Sequence, residues 1–271
     1  MAIAIVDSEK LDTDLTTIAD AIRGKTGGTE PLSFPEGMAA ELDAVYEAGK
    51  QAEYDAFWDA HQNFGERVRY DYAFAGSGWT PDIFRPKYDI RPSVCSYMFA
   101  AADASWEAAD LDQLIKEAGI VFDTSMCTNF TNMFMYSSPR VVPVIDTTGA
   151  STLSSMFLNC SVVEIKGIIL RDDGSQNLTN MFRATPGIRK MEIQGTIGQN
   201  GFDVSLLRLD KASLTSIINA LSTTTSGLTV TIKLSAVNTA FETSEGAADG
   251  SASDEWLALA ATKSNWTISL A

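Results

Sequence analysis

Few residues in this chain have the types and spacing that catalysis or metal binding requires. The single histidine, His61, lies inside a predicted helix, and no serine or cysteine nucleophile motif accompanies it. A lone histidine can act in acid–base chemistry, but without a partner we interpret His61 as a surface or helix-packing residue. Cysteine–histidine zinc spacings and the H-E-x-x-H, G-x-S-x-G and Walker patterns are absent from the sequence. We therefore predict no catalytic residue, no metal ion, no cofactor and no enzymatic activity.

Two acidic clusters have alternative interpretations. The segment RDDGSQN, with Asp172, Asp173 and Gly174, weakly matches a calcium loop, but it lacks the alternate acids and the closing glutamate. We interpret it as a turn between repeats. The pair Asp254–Glu255 has the composition of a glycosidase dyad, yet its place at the start of a predicted helix is explained by the helix dipole.

The three cysteines predict buried thiols rather than a disulfide framework. Cys95, Cys127 and Cys160 are odd in number and lie about one repeat apart. Unpaired cysteine behaves as a small hydrophobic residue and is often buried.

Composition indicates a folded and strongly acidic protein. The 271 residues are 45% hydrophobic, and the formal net charge is −15. Such a chain is repelled by phosphate backbones and anionic lipid, so we expect no nucleic-acid partner. No run approaches the roughly 20 apolar residues of a membrane span, so we expect no membrane insertion. The start, MAIAIVDSEK, lacks the basic and apolar regions of a secretion signal.

Two helices are predicted in the first part of the chain. Leu11, Leu15, Ile18 and Ile22 form one helical stripe, and a turn-rich linker follows. A second helix begins near Pro35 and continues with apolar residues at steps of three and four, which fits either a coiled coil or a single packed helix. We divide the chain into a docking module at 1–44, a linking helix at 45–66 and a repeat domain at 67–271.

From Arg67 the pattern changes to alternation. The segment RVRYDYAF predicts a strand. Further along, five segments share an apolar residue, two small or polar residues and two large apolar residues: CSYMF, FTNMF, LSSMF, LTNMF and LTSII. Tyr97 is the exception to the small or polar pattern. The predicted repeat core is Met98, Phe99, Met133, Phe134, Met156, Phe157, Met181, Phe182, Ile217 and Ile218.

Each of the last four segments is followed by a corner and then by a β-branched run: RVVPVID, SVVEIKGIIL, IRKMEIQG and LTVTIKLS. The first segment is less regular, because ASWEAADLDQLIKEAGIVF predicts a longer helix with a strand at its end. One such unit cannot bury its own apolar face, whereas stacked copies can form continuous internal ladders. The steps from Phe134 to Phe157 and from Phe157 to Phe182 have the length of leucine-rich repeats. The last segment, SASDEWLALAATKSNWTISLA, predicts a cap made of a helix begun by Ser253 and a final strand.

The segment FDTSMCTNFTNMF, residues 122–134, resembles the bacterial surface leucine-rich repeats of BspA type. Thr128–Asn129 and Met133–Phe134 carry the likeness, which recurs in part at Met156–Phe157 with Asn159–Cys160 and covers roughly residues 90–235. The resemblance implies an α+β fold, in which a short N-terminal helical module precedes a leucine-rich-repeat-like solenoid of helix or turn and strand units.

Residues 15–45 resemble a short module at the start of tail and baseplate proteins of phages from gut Gram-positive bacteria. The pieces IADAIRGKTG and LSFPEGM carry this likeness. Together the two resemblances imply a non-enzymatic virion protein of a phage tail or baseplate, docked by its N-terminal module to other tail proteins. Its repeat domain would bind a bacterial surface polysaccharide or protein, and trimerisation would raise avidity.

Two tryptophans are the predicted ligand contacts. Trp79 and Trp106 lie in loop-like or inserted segments, although ordinary core packing also explains each of them. A BspA-type adhesin of the bacterial cell surface is the alternative function, and the missing leader weighs against it. A polysaccharide-degrading enzyme is a third hypothesis, which the absence of catalytic motifs disfavours.

Overall fold

In the computed structural model the chain forms two compact units, Met1–His61 and Gln62–Ala271. The structure describes residues 49–59, 68–70, 72–76, 80–82, 84–102, 104–241 and 254–271. In the first unit, residues 49–59 form helix α1, in which the ring of Phe57 meets that of the buried Trp58 edge to face at 5.2 Å. The predicted docking module at 1–44 and the heptad positions before residue 49 lie outside the described residues. The predicted boundary near residue 66 is close to this division but is also outside them.

The second unit alternates short parallel strands with turns and helices. A 3-10 helix at Ala104–Ala108 precedes α2. The helices are α2 (Leu111–Glu117), α3 (Lys211–Ala220), α4 (Leu234–Ala240) and α5 (Asp254–Ala261). The strands are β1 (Val68–Arg69), β2 (Pro92–Val94), β3 (Val141–Asp146), β4 (Glu164–Ile169), β5 (Lys190–Gln194), β6 (Asp203–Val204), β7 (Leu228–Ile232) and β8 (Trp266–Leu270). The β-branched runs that predicted β3, β4, β5, β7 and β8 are confirmed as strands.

The predicted fold class, α+β with a leucine-rich-repeat-like solenoid, is wrong. The described residues form a mixed fold of helices and parallel sheets, in which the strands fall into three separate sheets: β1-β2, β3-β4-β5 and β6-β7-β8. The reason for the break lies at the outer edge of β5, which faces α3 instead of another strand. There Ser213 Oγ accepts from Met191 N at 2.9 Å, and Ser216 Oγ accepts from Ile193 N at 2.7 Å. Two helical hydroxyls therefore replace the next strand.

The Met-Phe pairs lie in turns that stack on one another. The ring centroids of Phe99, Phe134, Phe157 and Phe182 follow at 5.3, 5.2 and 5.6 Å, with planes within 11°. Backbone bonds join the same layers, for example from Phe134 N to Met156 O at 2.8 Å and from Phe157 N to Met181 O at 2.9 Å. The structure places all ten predicted repeat-core residues in the interior. The last two, Ile217 and Ile218, lie on α3 rather than in a turn.

The segment RVRYDYAF forms a further stacked turn, so its prediction as a strand is wrong beyond Val68–Arg69. Tyr72 and Gly76 have φ of 60° and 79°, and Phe74 stacks on Phe99 with centroids 5.0 Å apart. The backbone amides of Tyr70, Tyr72, Phe74 and Gly76 donate to the layer that begins at Val94. In this turn Tyr70 and Phe74 are buried and Tyr72 is exposed. Apolar residues nevertheless recur at every second position, as they do in a strand, so the sequence pattern alone does not distinguish the two.

Aspartates make the corners between layers. Asp123 Oδ1 accepts from Ser125 N at 3.1 Å, Asp146 Oδ1 from Thr148 N at 3.0 Å and Asp173 Oδ1 from Ser175 N at 3.0 Å. An aspartate that accepts from the amide two residues on replaces a backbone turn bond. The interpretation of RDDGSQN as a turn is therefore confirmed. The hydrogen bonds that Ser175 donates to Asp173, from its backbone amide and its hydroxyl, lower the pKa of Asp173.

Buried polar and thiol groups complete the core. Lys263 Nζ donates to the carbonyls of Asn219 and Leu221 at 2.9 and 2.5 Å, at the C-terminal end of α3, and burial lowers its pKa. All three cysteines are free and buried, which confirms the prediction. Cys127 Sγ lies 2.6 Å from Cys95 Sγ. The predicted final strand is β8, whereas Ser253, the predicted helix cap, lies outside the described residues.

Candidate functional site

The stacked turns place one residue of each layer in the left-handed backbone region, at the third position of the repeated segment. These residues are Tyr72, Tyr97, Asn132, Ser155 and Asn180, with φ between 56° and 60°. Asparagine is several times more frequent than other non-glycine residues in this region, because its short side chain bonds locally. A bulky tyrosine is a true outlier there. The first two layers therefore hold residues that the local conformation disfavours.

The two tyrosines form one surface. The rings of Tyr72 and Tyr97 stack with centroids 4.6 Å apart and planes within 6°, and Tyr72 is 59% exposed. The backbone beneath them is held by bonds between layers, from Tyr72 N to Ser96 O at 3.1 Å and from Tyr97 N to Thr131 O at 3.2 Å. We call this pair the tyrosine surface. Such rings offer rigid, amphipathic contact area at a low cost in side-chain entropy.

A third tyrosine is exposed at a different position of the turn. Tyr136 has φ of 56° and is 53% exposed. It occupies the second left-handed position of its layer, which in other layers holds Gly76, Ala101, Asn159 or Ala184. Tyr136 is therefore a matched control for the tyrosine surface, because it has the same residue type, backbone region and degree of exposure.

A groove of about 640 Å³ runs between strands β4 and β5 and helix α3. Charges of both signs line it, including Glu164, Lys166, Lys190 and Glu192. Lys166 Nζ lies 2.8 Å from Glu164 Oε1, and this hydrogen bond raises the pKa of Lys166. The serines of α3 that face the groove are already bonded to β5. The groove can bind a polar ligand through its charged rim. Ser213 Oγ donates to Asp210 Oδ1 at 2.6 Å there and also accepts from Met191 N, so this hydroxyl links α3 to β5.

The two predicted tryptophan contacts have different outcomes. Trp106 is 1% exposed and packs edge to face on Phe84 and Phe99, with centroids 5.7 and 6.2 Å away. The expectation that Trp106 is exposed to a ligand is therefore wrong, because the 3-10 helix that carries it turns the indole into the aromatic core. Trp79 lies outside the described residues, and so does His61.

The acidic pair Asp254–Glu255, which the sequence also offered as a candidate, has a structural role. Asp254 and Glu255 begin α5, as the sequence indicated, and Glu255 pairs with Lys211 of α3 at 2.7 Å. In the described part of the chain, no group of three or more histidine, cysteine or acidic residues could hold a metal ion. Within that same part, no helix has the length and apolar character required to cross a bilayer.

Comparison of the chain with models of protein families, with curated proteins and with solved structures found no match. The sequence pattern did not reveal the tyrosine surface, because it placed Tyr72 in a predicted strand. One signal was present: Tyr97 breaks the small or polar pattern of the repeated segment, and a bulky residue at a position that elsewhere holds Asn or Ser marks a site worth inspection.

Proposed function

We propose that the chain is a non-enzymatic receptor-binding protein of a phage tail or baseplate, and that the tyrosine surface contacts the bacterial cell. The observation that carries the binding part is the parallel stack of the exposed Tyr72 ring on the half-buried Tyr97 ring, both on left-handed backbone. A polysaccharide is the ligand class that suits it best, because the flat rings can stack on the apolar faces of sugar units.

The backbone conformation supports a functional rather than a structural role for these rings. A left-handed φ costs a residue with a Cβ about 1–2 kcal/mol. Asn132 and Asn180 show that the same turn forms with a residue better suited to it. The exposed ring of Tyr72 buries little surface within the protein, so the core does not compensate for this cost at Tyr72. Residues kept in disfavoured conformations concentrate at binding sites.

The scaffold suits a recognition surface because it is rigid. Each layer is joined to the next by repeated backbone hydrogen bonds, and the phenylalanine column fills the space beneath. A preorganised surface loses less conformational entropy when it binds. A repetitive ligand such as a wall polymer would also reward several copies acting together, which favours a homotrimer.

The virion part of the proposal depends on the N-terminal sequence. The pieces IADAIRGKTG and LSFPEGM support docking to other tail or baseplate proteins, and hence a location in the virion tail. Antibodies against the chain should label the tails of phage particles induced from the strain that carries the gene. Labelling of the bacterial cell surface without labelling of particles would instead support the alternative, a surface adhesin.

The binding part is tested by cosedimentation of the full chain with purified cell walls from a panel of Gram-positive gut bacteria. The variant Tyr72→Asn/Tyr97→Asn places at both positions the residue that other layers use, so the fold should be retained. We expect its affinity for walls to fall at least about tenfold, since aromatic anchors dominate binding energy. The control, Tyr136→Asn, should bind as the wild type does. Equal binding by the double variant would contradict the proposal.

A further inference from the structure

A second cavity, of about 450 Å³, differs from the rest of this acidic chain in its charge. Three cationic residues line it: Arg189 before β5, Arg208 before α3 and Lys233 at the start of α4. The whole chain carries 35 acidic against 20 basic residues. The cavity is therefore positively charged, whereas the chain as a whole is negatively charged.

The fold brings these cations together by backbone bonds. Arg208 N donates to Ile188 O at 3.2 Å, and Asp210 N donates to Arg189 O at 3.0 Å, so the two arginine segments run side by side. Arg189 Nη1 also donates to Pro186 O at 2.9 Å, which orients its guanidinium. Lys233 directly follows the end of β7, and Ser235 and Thr239 of α4, which carry hydroxyl groups, line the same cavity.

The cations are not neutralised within the described part of the protein. Some other surface cations there do pair with carboxylates: Arg171 lies 3.2 Å from Asp173, and Lys166 lies 2.8 Å from Glu164. Among the described residues, no carboxylate lies within ion-pair distance of Arg189, Arg208 or Lys233. Like charges around one cavity repel, and the described residues place no carboxylate close enough to offset that repulsion.

We propose that this cavity is a binding site for an oxyanion, either the phosphate ester or the carboxylate of a ligand the size of a sugar. Guanidinium groups bind both anions through paired hydrogen bonds, and Lys233 adds a point charge. The volume lies in the range of small-molecule sites and exceeds the needs of a bare phosphate ion, so the ligand carries neutral groups as well. The hydroxyls of Ser235 and Thr239 are suited to those neutral groups. The site shares no residue with the tyrosine surface and does not rest on the proposed function.

The test is isothermal titration calorimetry of the full chain at low ionic strength, where charge screening is weakest. The probes are glucose 6-phosphate, glucuronate and neutral glucose. We expect saturable binding of at least one anionic sugar and none of glucose. Binding of glucose 6-phosphate alone assigns a phosphate ester, and binding of glucuronate alone assigns a carboxylate. Absence of binding by both anions, or equal binding of glucose, would overturn the proposal.

Variants locate the binding. Arg208→Gln and Lys233→Gln act on separate elements, at an exposed and a half-buried position, so each should fold, which circular dichroism checks. Each should lower the affinity for the anionic sugar at least about tenfold. Arg208→Lys keeps the charge but loses the paired hydrogen bonds of the guanidinium, so its affinity should lie between those of Arg208→Gln and the wild type. The matched control is Arg171→Gln, whose guanidinium pairs with Asp173 outside the cavity, and it should bind as the wild type does. Unchanged affinity in both cavity variants would refute the assignment.

Discussion

Replacing Ala184 by glycine should stabilise this protein, although the same substitution usually destabilises a folded chain. Ala184 is exposed and occupies the second left-handed position of its turn, with φ of 57°. The Cβ of an L-residue in this region costs about 1–2 kcal/mol, which glycine avoids. Glycine also gives the unfolded chain more freedom, which offsets about 0.5–1 kcal/mol of the gain. The free energy of unfolding should therefore rise by about 0.5–1 kcal/mol.

The matched control is Ala212→Gly. Ala212 is also exposed, but it lies in the first turns of α3, where glycine is about 1 kcal/mol less favourable than alanine. The two variants should therefore differ by about 1.5–2 kcal/mol and in opposite directions from the wild type. Urea unfolding followed by circular dichroism at pH 7 measures both, and an unchanged slope shows that the change lies in stability rather than compactness. If Ala184→Gly destabilised the protein as Ala212→Gly does, residue 184 would not have left-handed backbone and the stacked turns would be wrong.

Three further results are expected. Phe157→Ala should lower the free energy of unfolding by about 3–5 kcal/mol, because it empties a fully buried position between the rings of Phe134 and Phe182. Phe157→Leu should lower it clearly less. If urea unfolding showed small and similar losses for both variants, the stacked phenylalanine rings would not stabilise the fold. Burial raises the pKa of Cys160 to about 11, so its thiol stays protonated in the folded chain while the unfolded chain ionises near 9. Keeping this thiol protonated costs nothing below pH 9, whereas the free energy of unfolding falls by about 2–3 kcal/mol as the pH rises from 9 to 11. Cys160→Ala should therefore show a smaller fall in Tm over this pH range than the wild type. Identical dependence of Tm on pH in the two proteins would contradict the prediction. Lys263→Met should cost about 2 kcal/mol in urea unfolding, because the carbonyls of Asn219 and Leu221 lose a buried donor, and an unchanged midpoint would show that water replaces it.

The strands illustrate what local patterns predict well. The runs RVVPVID, SVVEIKGIIL and IRKMEIQG contain β3, β4 and β5, because β-branched residues suit a half-buried extended backbone. The recurrence of Met and Phe pointed to residues with equivalent environments, and Phe134 and Phe157 do stack in register. These features depend on burial, and burial leaves a periodic trace in the sequence.

The tyrosine surface shows where local patterns lose information. Tyr70, Tyr72 and Phe74 alternate with polar and small residues, as in a strand, yet they belong to a turn in which Tyr72 has a positive φ. The exposure of Tyr72 and the burial of Trp106 are also opposite to the expectation from residue type and segment. Both depend on which neighbouring layer covers the side chain, and no local pattern records that.

The sequence by itself determined the composition of the core, the positions of most strands and the repeated turn segment, because apolar periodicity and β-branched residues act over a few neighbours. Only the tertiary structure decided the fold class, since α3 rather than a strand covers the edge of β5 through Ser213 and Ser216. It also decided the two candidate surfaces. The rings of Tyr72 and Tyr97 stack only after packing brings distant segments together. The same holds for Arg189, Arg208 and Lys233, which then line one cavity. Such contacts depend on backbone hydrogen bonds between layers, whose partners are far apart along the chain.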